Sequence, residues 1–186
     1  MSGLRLALLD RDGTLNRKAP DGEYVTKPGA LELLPGAADA VRRLNDAGVA
    51  VAVVTNQRAI ALGRMTTEEL EVIHERLRVE LERRAARLDA VYHCPHEAGT
   101  CLCRKPEPGL LQRAARDFGA RPQEAVMIGD APSDVEAGRR FGALTVQLTD
   151  GPSGADLSAP DLEAAVDALL APAPDRRPLA ARAVVR

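Results

Sequence analysis

The sequence predicts an α/β fold, a doubly wound parallel sheet, on three observations: short apolar runs recur, a stretch with helical period follows most of them, and glycine closes several of those stretches. The runs at residues 4–9, 49–54, 90–93, 125–128 and 143–148 are almost continuously apolar, as strands covered on both faces must be. After the first, residues 37–47 read as a helix that stops at Gly48, a residue suited to the left-handed turn past a helix end. After the second, Thr66 and Glu69 form a capping box, and Leu70, Ile73, Leu77 and Leu81 fall on one helical face, which reads as core packing. His74, on that helix, is expected to face solvent. Residues 110–118 form the next helix and close at Gly119; past the fourth run, Ser133 or Asp134 reads as a helix N-cap. Residues 161–170 form the last helix. The domain is expected to occupy 1–170, and the Pro-, Ala- and Arg-rich residues 171–186, which hold no period, are expected to be a disordered tail.

A chain of 186 residues suits one domain, and 45% hydrophobic with 28% charged residues is the balance of a globular protein, not a disordered one. With 25 basic against 27 acidic side chains the net charge is -2, which offers no field for nucleic acid or an anionic membrane. No apolar stretch approaches the ~20 residues that cross a bilayer, so a cytoplasmic protein without membrane contact is expected. Only Lys18, Lys27 and Lys105 among the basic residues are lysines, so a lysine inside a motif carries weight.

In a doubly wound sheet the ligand lies beyond the carboxyl ends of the strands. The first strand ends in Asp10-Arg11-Asp12-Gly13-Thr14, whose two carboxylates can face one crevice and offer hard oxygens suited to Mg²⁺; an acidic turn by itself is as readily only a turn. The second delivers Thr55-Asn56-Gln57, a hydroxyl and two amides able to hold an oxyanion. The fourth runs into Gly129-Asp130, with Asp134 four residues on. Acids, a hydroxyl, the rare Lys105 and a further acid in that order meet the needs of phosphoryl transfer through an aspartate. A carboxylate approaching a phosphate needs a cation and a lysine against the repulsion, and a second acid for the leaving oxygen.

Here the chain resembles the haloacid dehalogenase superfamily, whose four motifs match Asp10-x-Asp12-Gly13-Thr14, Thr55, Lys105 and Gly129-Asp130-x-x-x-Asp134, over roughly residues 4–148. The resemblance implies that Asp10 is the nucleophile and forms an aspartyl-phosphate. Asp12 would be the general acid that later activates water. Asp10, the Asp12 carbonyl and Asp130 would bind Mg²⁺, Thr55 and Lys105 would clamp the phosphoryl oxygens, and Asp134 would orient this apparatus. Arg11 would have a supporting structural part.

All three cysteines fall within ten residues. Cys94, His96, Cys101 and Cys103 make a Cys₃His set, enough for a closed tetrahedral Zn²⁺ site that staples a loop directly before Arg104-Lys105-Pro106. His93, just before it, reads as a packed or surface residue. This loop, with Thr-Asn-Gln, is similar to that of the heptose 1,7-bisphosphate phosphatases and the related histidinol-phosphate phosphatases. That likeness implies a capless monomeric enzyme for a small phosphorylated sugar, with histidinol phosphate as the alternative substrate. It also implies substrate contacts from residues 20–25, from Asn56, Gln57, Arg104 and Lys105, and from Arg58 if it replaces a lost charge; Arg58 reads equally as solvent-exposed. The chain departs from the heptose pattern at Arg58-Ala59, where Ser-Gly is usual, at Leu62 in place of an arginine, and at Ala131 in place of a lysine. P-loop, dinucleotide and serine-hydrolase signatures are absent from the sequence. The rival of another class is a non-catalytic zinc-stapled binding domain, which would have no reason to keep Asp10, Asp12, Thr55, Lys105 and Asp130 in register.

Overall fold

The computed structural model describes residues 3–171, which form one six-stranded sheet with helices on both faces. In chain order the elements are β1 (Leu6–Leu9), α1 (Ala37–Asp46), β2 (Ala50–Asn56), α2 (Thr67–Glu82), β3 (Ala90–Cys94), α3 (Gly109–Asp117), β4 (Ala125–Gly129), α4 (Pro132–Phe141), β5 (Leu144–Leu148), β6 (Leu157–Ala159) and α5 (Leu162–Leu170). The strand order is β3-β2-β1-β4-β5-β6, and each adjacent pair is parallel. The chain winds outward from β1 to β3, then returns to the other side of β1 and winds outward to β6. The crevice beyond β1 and β4 is therefore a topological switch point, where such sheets bind ligands.

Side chains alternate between the two faces along each strand. Ala7 and Leu9 join Val51, Val53, Val126 and Ile128 against α1, α2 and α5, while Leu6 and Leu8 join Ala52, Val54 and Met127 against α3 and α4. Two apolar layers thus hold β1 rigid from both sides. No inserted domain stands between β1 and β2 or between β2 and β3, as the capless reading expects.

Three local expectations need correction. A sixth strand, β6, pairs Leu157 with Val146; three residues with an exposed Ser158 give no period to read. His74 is not solvent-facing but 0% exposed, because the buried stripe of α2 is wide enough to take the position beside Ile73. Neither Ser133 nor Asp134 is an N-cap: α4 starts at Pro132, and the Asp134 carboxylate reaches back to accept from the Ala131 N–H at 3.1 Å. The Thr66–Glu69 capping box is present, and Asp161 caps α5 by accepting from the Ala164 N–H at 2.8 Å. The tail expected at 171–186 lies outside the described residues except for Ala171. Among the described residues no helix is long and apolar enough to cross a membrane.

Candidate active site

The turn after β1 is built on its own carbonyls: the N–H groups of Leu15 and Asn16 donate to the Arg11 carbonyl at 2.9 and 3.1 Å, and Gly13 donates to the Asn16 carbonyl at 2.8 Å. Gly13 sits at φ +92°, and a Cβ there would come within 2.5 Å of the Asp130 carboxylate. At Gly129 a Cβ would collide with the Asp134 carboxylate. These two glycines let the acids of β1 and β4 close on one crevice.

Lys105 is buried and stands between two of those acids, its Nζ 2.7 Å from Asp10 Oδ1 and 2.6 Å from Asp134 Oδ1. Burial alone would lower the pKa of this ammonium, but Asp10 and Asp134 together raise it above the usual lysine value. Burial pushes the Asp10 carboxyl up to about 7, against the pull of Lys105 and with the help of Asp134. Lys105 thus does not offset the burial of Asp10. The oxygens of Asp10, Asp130 and Asp134 lie within 4.8 Å of one another, a donor set that fits a hard divalent cation such as Mg²⁺. Lys18, from the segment after β1, sits there with its Nζ 3.2 Å from Asp130 Oδ2, and Asp130 raises its pKa.

Asp12 is fixed from three sides. The wholly buried Arg11 donates through Nη2 to both carboxylate oxygens at 3.0 and 2.8 Å, Asn16 Nδ2 donates at 2.9 Å, and Gln57 Nε2 donates at 2.9 Å. Gln57 also donates to Thr55 Oγ1 at 3.0 Å, which leaves the threonine its own proton to give to an outside oxygen. Asn56 clamps the Lys105 backbone: its Nδ2 donates to the Lys105 carbonyl at 3.0 Å and its Oδ1 accepts from the Lys105 N–H at 3.1 Å. A cavity of about 280 Å³ opens over these groups, roofed by residues 18–25 and edged by Arg104.

Next to Lys105, the loop after β3 gathers its four donors. The sulfur of Cys103 lies 3.3 Å from those of Cys94 and Cys101, which are 3.6 Å apart, and His96 Nδ1 lies 3.5 and 3.3 Å from Cys94 and Cys103. All three thiols are free. A tetrahedron with Zn–S bonds of ~2.3 Å spaces its sulfurs about 3.7 Å apart, so the set fits zinc with little rearrangement. Arg104 Nη1 donates to the His96 carbonyl at 3.2 Å, which ties this loop to the cavity rim.

Residues 5–142 match the haloacid dehalogenase-like hydrolase family. The chain belongs to that family. Among its relatives is the D-glycero-β-D-manno-heptose-1,7-bisphosphate 7-phosphatase of Pseudomonas putida, 34% identical over 149 residues, which are 80% of this chain and 84% of that one. The D-glycero-α-D-manno-heptose-1,7-bisphosphate 7-phosphatase of Mycobacterium tuberculosis is 36% identical over 153 residues, 78% of this chain and 80% of that one. A solved structure of the D,D-heptose 1,7-bisphosphate phosphatase from B. bronchiseptica, complexed with magnesium and phosphate, superposes with a TM-score of 0.81 at 30% identity, covering 89% of this chain and 98% of that one.

Within this hydrolase fold, the cavity gathers Asp10, Asp12, Thr55, Lys105, Arg104 and Asp130. Asn56 and Gln57 line it too, but their amides are engaged by Lys105 and by Asp12 and Thr55. Arg58 is exposed and pairs with Glu97 at 3.2 Å, away from the cavity lining. Two residues carry no role in the sequence reading: Lys18, which lines the crevice and is notable there only as a rare lysine, and the buried Asn16, whose neighbourhood to Asp12 depends on how the turn closes.

Proposed function

We propose that the chain is a Mg²⁺-dependent phosphatase that removes the 7-phosphate of a D-glycero-D-manno-heptose 1,7-bisphosphate through an aspartyl-phosphate at Asp10. The observation that carries this is the Asp10–Lys105–Asp134 ion pair at the switch point, with Asp12 held beside it by Arg11, Asn16 and Gln57. An Asp10 oxygen attacks phosphorus as the bond to the sugar oxygen breaks, and Asp12 gives that oxygen its proton. Asp12 then takes a proton from the water that attacks the same phosphorus, and Asp10 is released. Lys105 and the Thr55 hydroxyl hold the phosphoryl oxygens throughout. Asp10, the Asp12 carbonyl and Asp130 would hold Mg²⁺, which would add positive charge against the incoming phosphate. Zinc at Cys94, His96, Cys101 and Cys103 would hold the loop that presents Arg104 and Lys105.

The bisphosphate suits the rim because Arg104 keeps free guanidinium donors beside the cavity for a second, unreacting phosphate. Asp21 and Glu23, on the roofing segment, are the feature that would instead suit the amine of histidinol phosphate. The site is complete within one chain, which suits a monomer, and the clustered free thiols suit the reducing cytoplasm. The test is kcat/KM for both anomers of the heptose bisphosphate and for histidinol phosphate under equal Mg²⁺. The bisphosphate should lead, and Arg104→Ala should cost it ~10-fold or more while sparing histidinol phosphate. Faster turnover of histidinol phosphate would transfer the assignment to that substrate, and no turnover of any phosphate ester would favour the binding-domain reading.

A further inference from the structure

On the opposite face of β3 from the thiol loop lies a second group of metal-binding side chains. Because side chains alternate along a strand, Cys94 turns toward α3 and the neighbouring His93 turns toward α2. There His93 Nδ1 meets Glu71 Oε1 at 3.7 Å, and the same oxygen lies 3.6 Å from His74 Nδ1, one helical turn along from Glu71. The two imidazole rings are 5.9 Å apart, and one donor atom from each of the three residues falls within 4.8 Å of the others.

His74 makes this more than a chance cluster. It is 0% exposed, and neither ring nitrogen has a hydrogen-bond partner. A buried polar atom left unmatched costs about 1–3 kcal/mol, so a fully buried imidazole with two such atoms calls for an occupant. Burial, reinforced by the charges of Arg11 and His93, lowers its pKa to about 3, so the ring is in the neutral form that ligates. Arg11 and Arg78 are the cations acting on His74; Arg11 is paired with Asp12 through Nη2 while its Nη1 has no partner, and Glu71 brings the negative charge next to the two imidazoles. Three donors on two elements, two nitrogens and one carboxylate oxygen, suit a borderline divalent ion. Bonds of ~2.0–2.1 Å in a tetrahedron set donors about 3.4 Å apart; Glu71 stands 3.6 and 3.7 Å from the two imidazole nitrogens, and the donor atoms of the set all lie within 4.8 Å of one another. The Glu71 side chain is 53% exposed, so the carboxylate of the set reaches solvent.

We propose that Glu71, His74 and His93 form a second Zn²⁺ site, separate from the thiol cluster and from the phosphatase crevice, that braces α2 against β3. The experiment is zinc titration of the chelator-stripped full chain, with Co²⁺ as the optical probe, since only the cysteine site gives thiolate charge-transfer bands. The chain should take two equivalents of zinc. Glu71→Gln and His93→Gln each change a partly exposed ligand without opening the core, and each should weaken the second equivalent by ~100-fold or more. The Co²⁺ thiolate bands should stay intact in both variants. Cys101→Ser should disturb those bands and leave the second equivalent in place. Zinc added beyond the first equivalent should raise the melting temperature of the wild type but not of Glu71→Gln. A single equivalent in the wild type, or a second one indifferent to both Glu71→Gln and His93→Gln, would overturn the proposal and leave His74 satisfied by buried water.

Discussion

In the crevice beyond β1 and β4 each carboxylate meets a cation of the chain itself, Asp10 and Asp134 at Lys105, Asp130 at Lys18 and Asp12 at Arg11, whereas the four donors after β3 converge on one another. The crevice therefore keeps its geometry from internal ion pairs and from strands buried on both faces. The thiol loop leaves the sheet after Cys94 and, apart from its four donors, is held by a few exposed contacts, Arg104 to the His96 carbonyl, Thr100 to the Glu97 carbonyl and Arg58 to Glu97, so its order should depend on its metal. Lys105 stands where the two meet: its side chain belongs to the crevice, and its backbone begins where the thiol loop ends, pinned by Asn56. A metal lost from the crevice should cost chemistry; a metal lost from the loop should cost positioning.

Perturbations can break that contrast, beginning with the most severe. Asp10→Asn removes the attacking oxygen and should lower turnover by at least ~10⁴-fold with zinc content and melting temperature nearly unchanged, as read by steady-state kinetics and metal analysis. Lys105→Ala should cost ~10²–10³-fold in kcat. It should also destabilise the fold by about 3–5 kcal/mol, because Asp10 and Asp134 would remain buried without a counter-charge. Denaturant unfolding at neutral pH measures that second loss.

Chelation separates the two regions. Stripping exchangeable magnesium should stop turnover at once and reversibly while the protection of loop amides against hydrogen exchange is kept. Stripping the cysteine-bound zinc should expose amides 94–104 and lower activity more slowly, with zinc restoring both. The mildest change lies outside the lining of the cavity and the thiol loop, beside the edge strand β6. There Asp156 Oδ2 accepts from the Thr145 hydroxyl at 2.6 Å and from its N–H at 2.9 Å, and these bonds, the hydroxyl's first, hold the carboxyl below its usual pKa. Its native value is depressed, so its contribution to stability is present above the unfolded value of 3.8 and is lost as pH falls through the native one. Asp156→Ala should cost about 1–3 kcal/mol at neutral pH, flatten that part of the acid unfolding curve and leave kcat alone.

How much of this was legible in the sequence depended on how local each feature is. The strands of the sheet's middle are apolar on both faces, so they could be read without knowing their neighbours. The acids at their ends could then be placed on one crevice, and four cysteine and histidine donors within ten residues could be grouped by proximity in the chain. The tasks of Asn56 and Gln57 could not be read, because their partners Lys105 and Asp12 are 49 and 45 residues away and only the closed sheet brings them together. Lys18 stood out by its rarity, yet its partner Asp130 lies 112 residues on. His74 departs from its expected solvent-facing place because a polar residue inside a wide apolar stripe looks like its edge, and β6 leaves no sequence signal because three residues carry no pattern.

The most direct measurement of the central claim is the chemical fate of Asp10 during turnover. The enzyme with Mg²⁺ and heptose 1,7-bisphosphate should be acid-quenched in the first turnover and the peptide carrying residue 10 examined by mass spectrometry. The expected result is one phosphoryl group on Asp10, removed by hydroxylamine as an acyl phosphate is and absent from Asp10→Asn. Turnover without any phosphoryl-enzyme, or with the group on another side chain, would contradict the account.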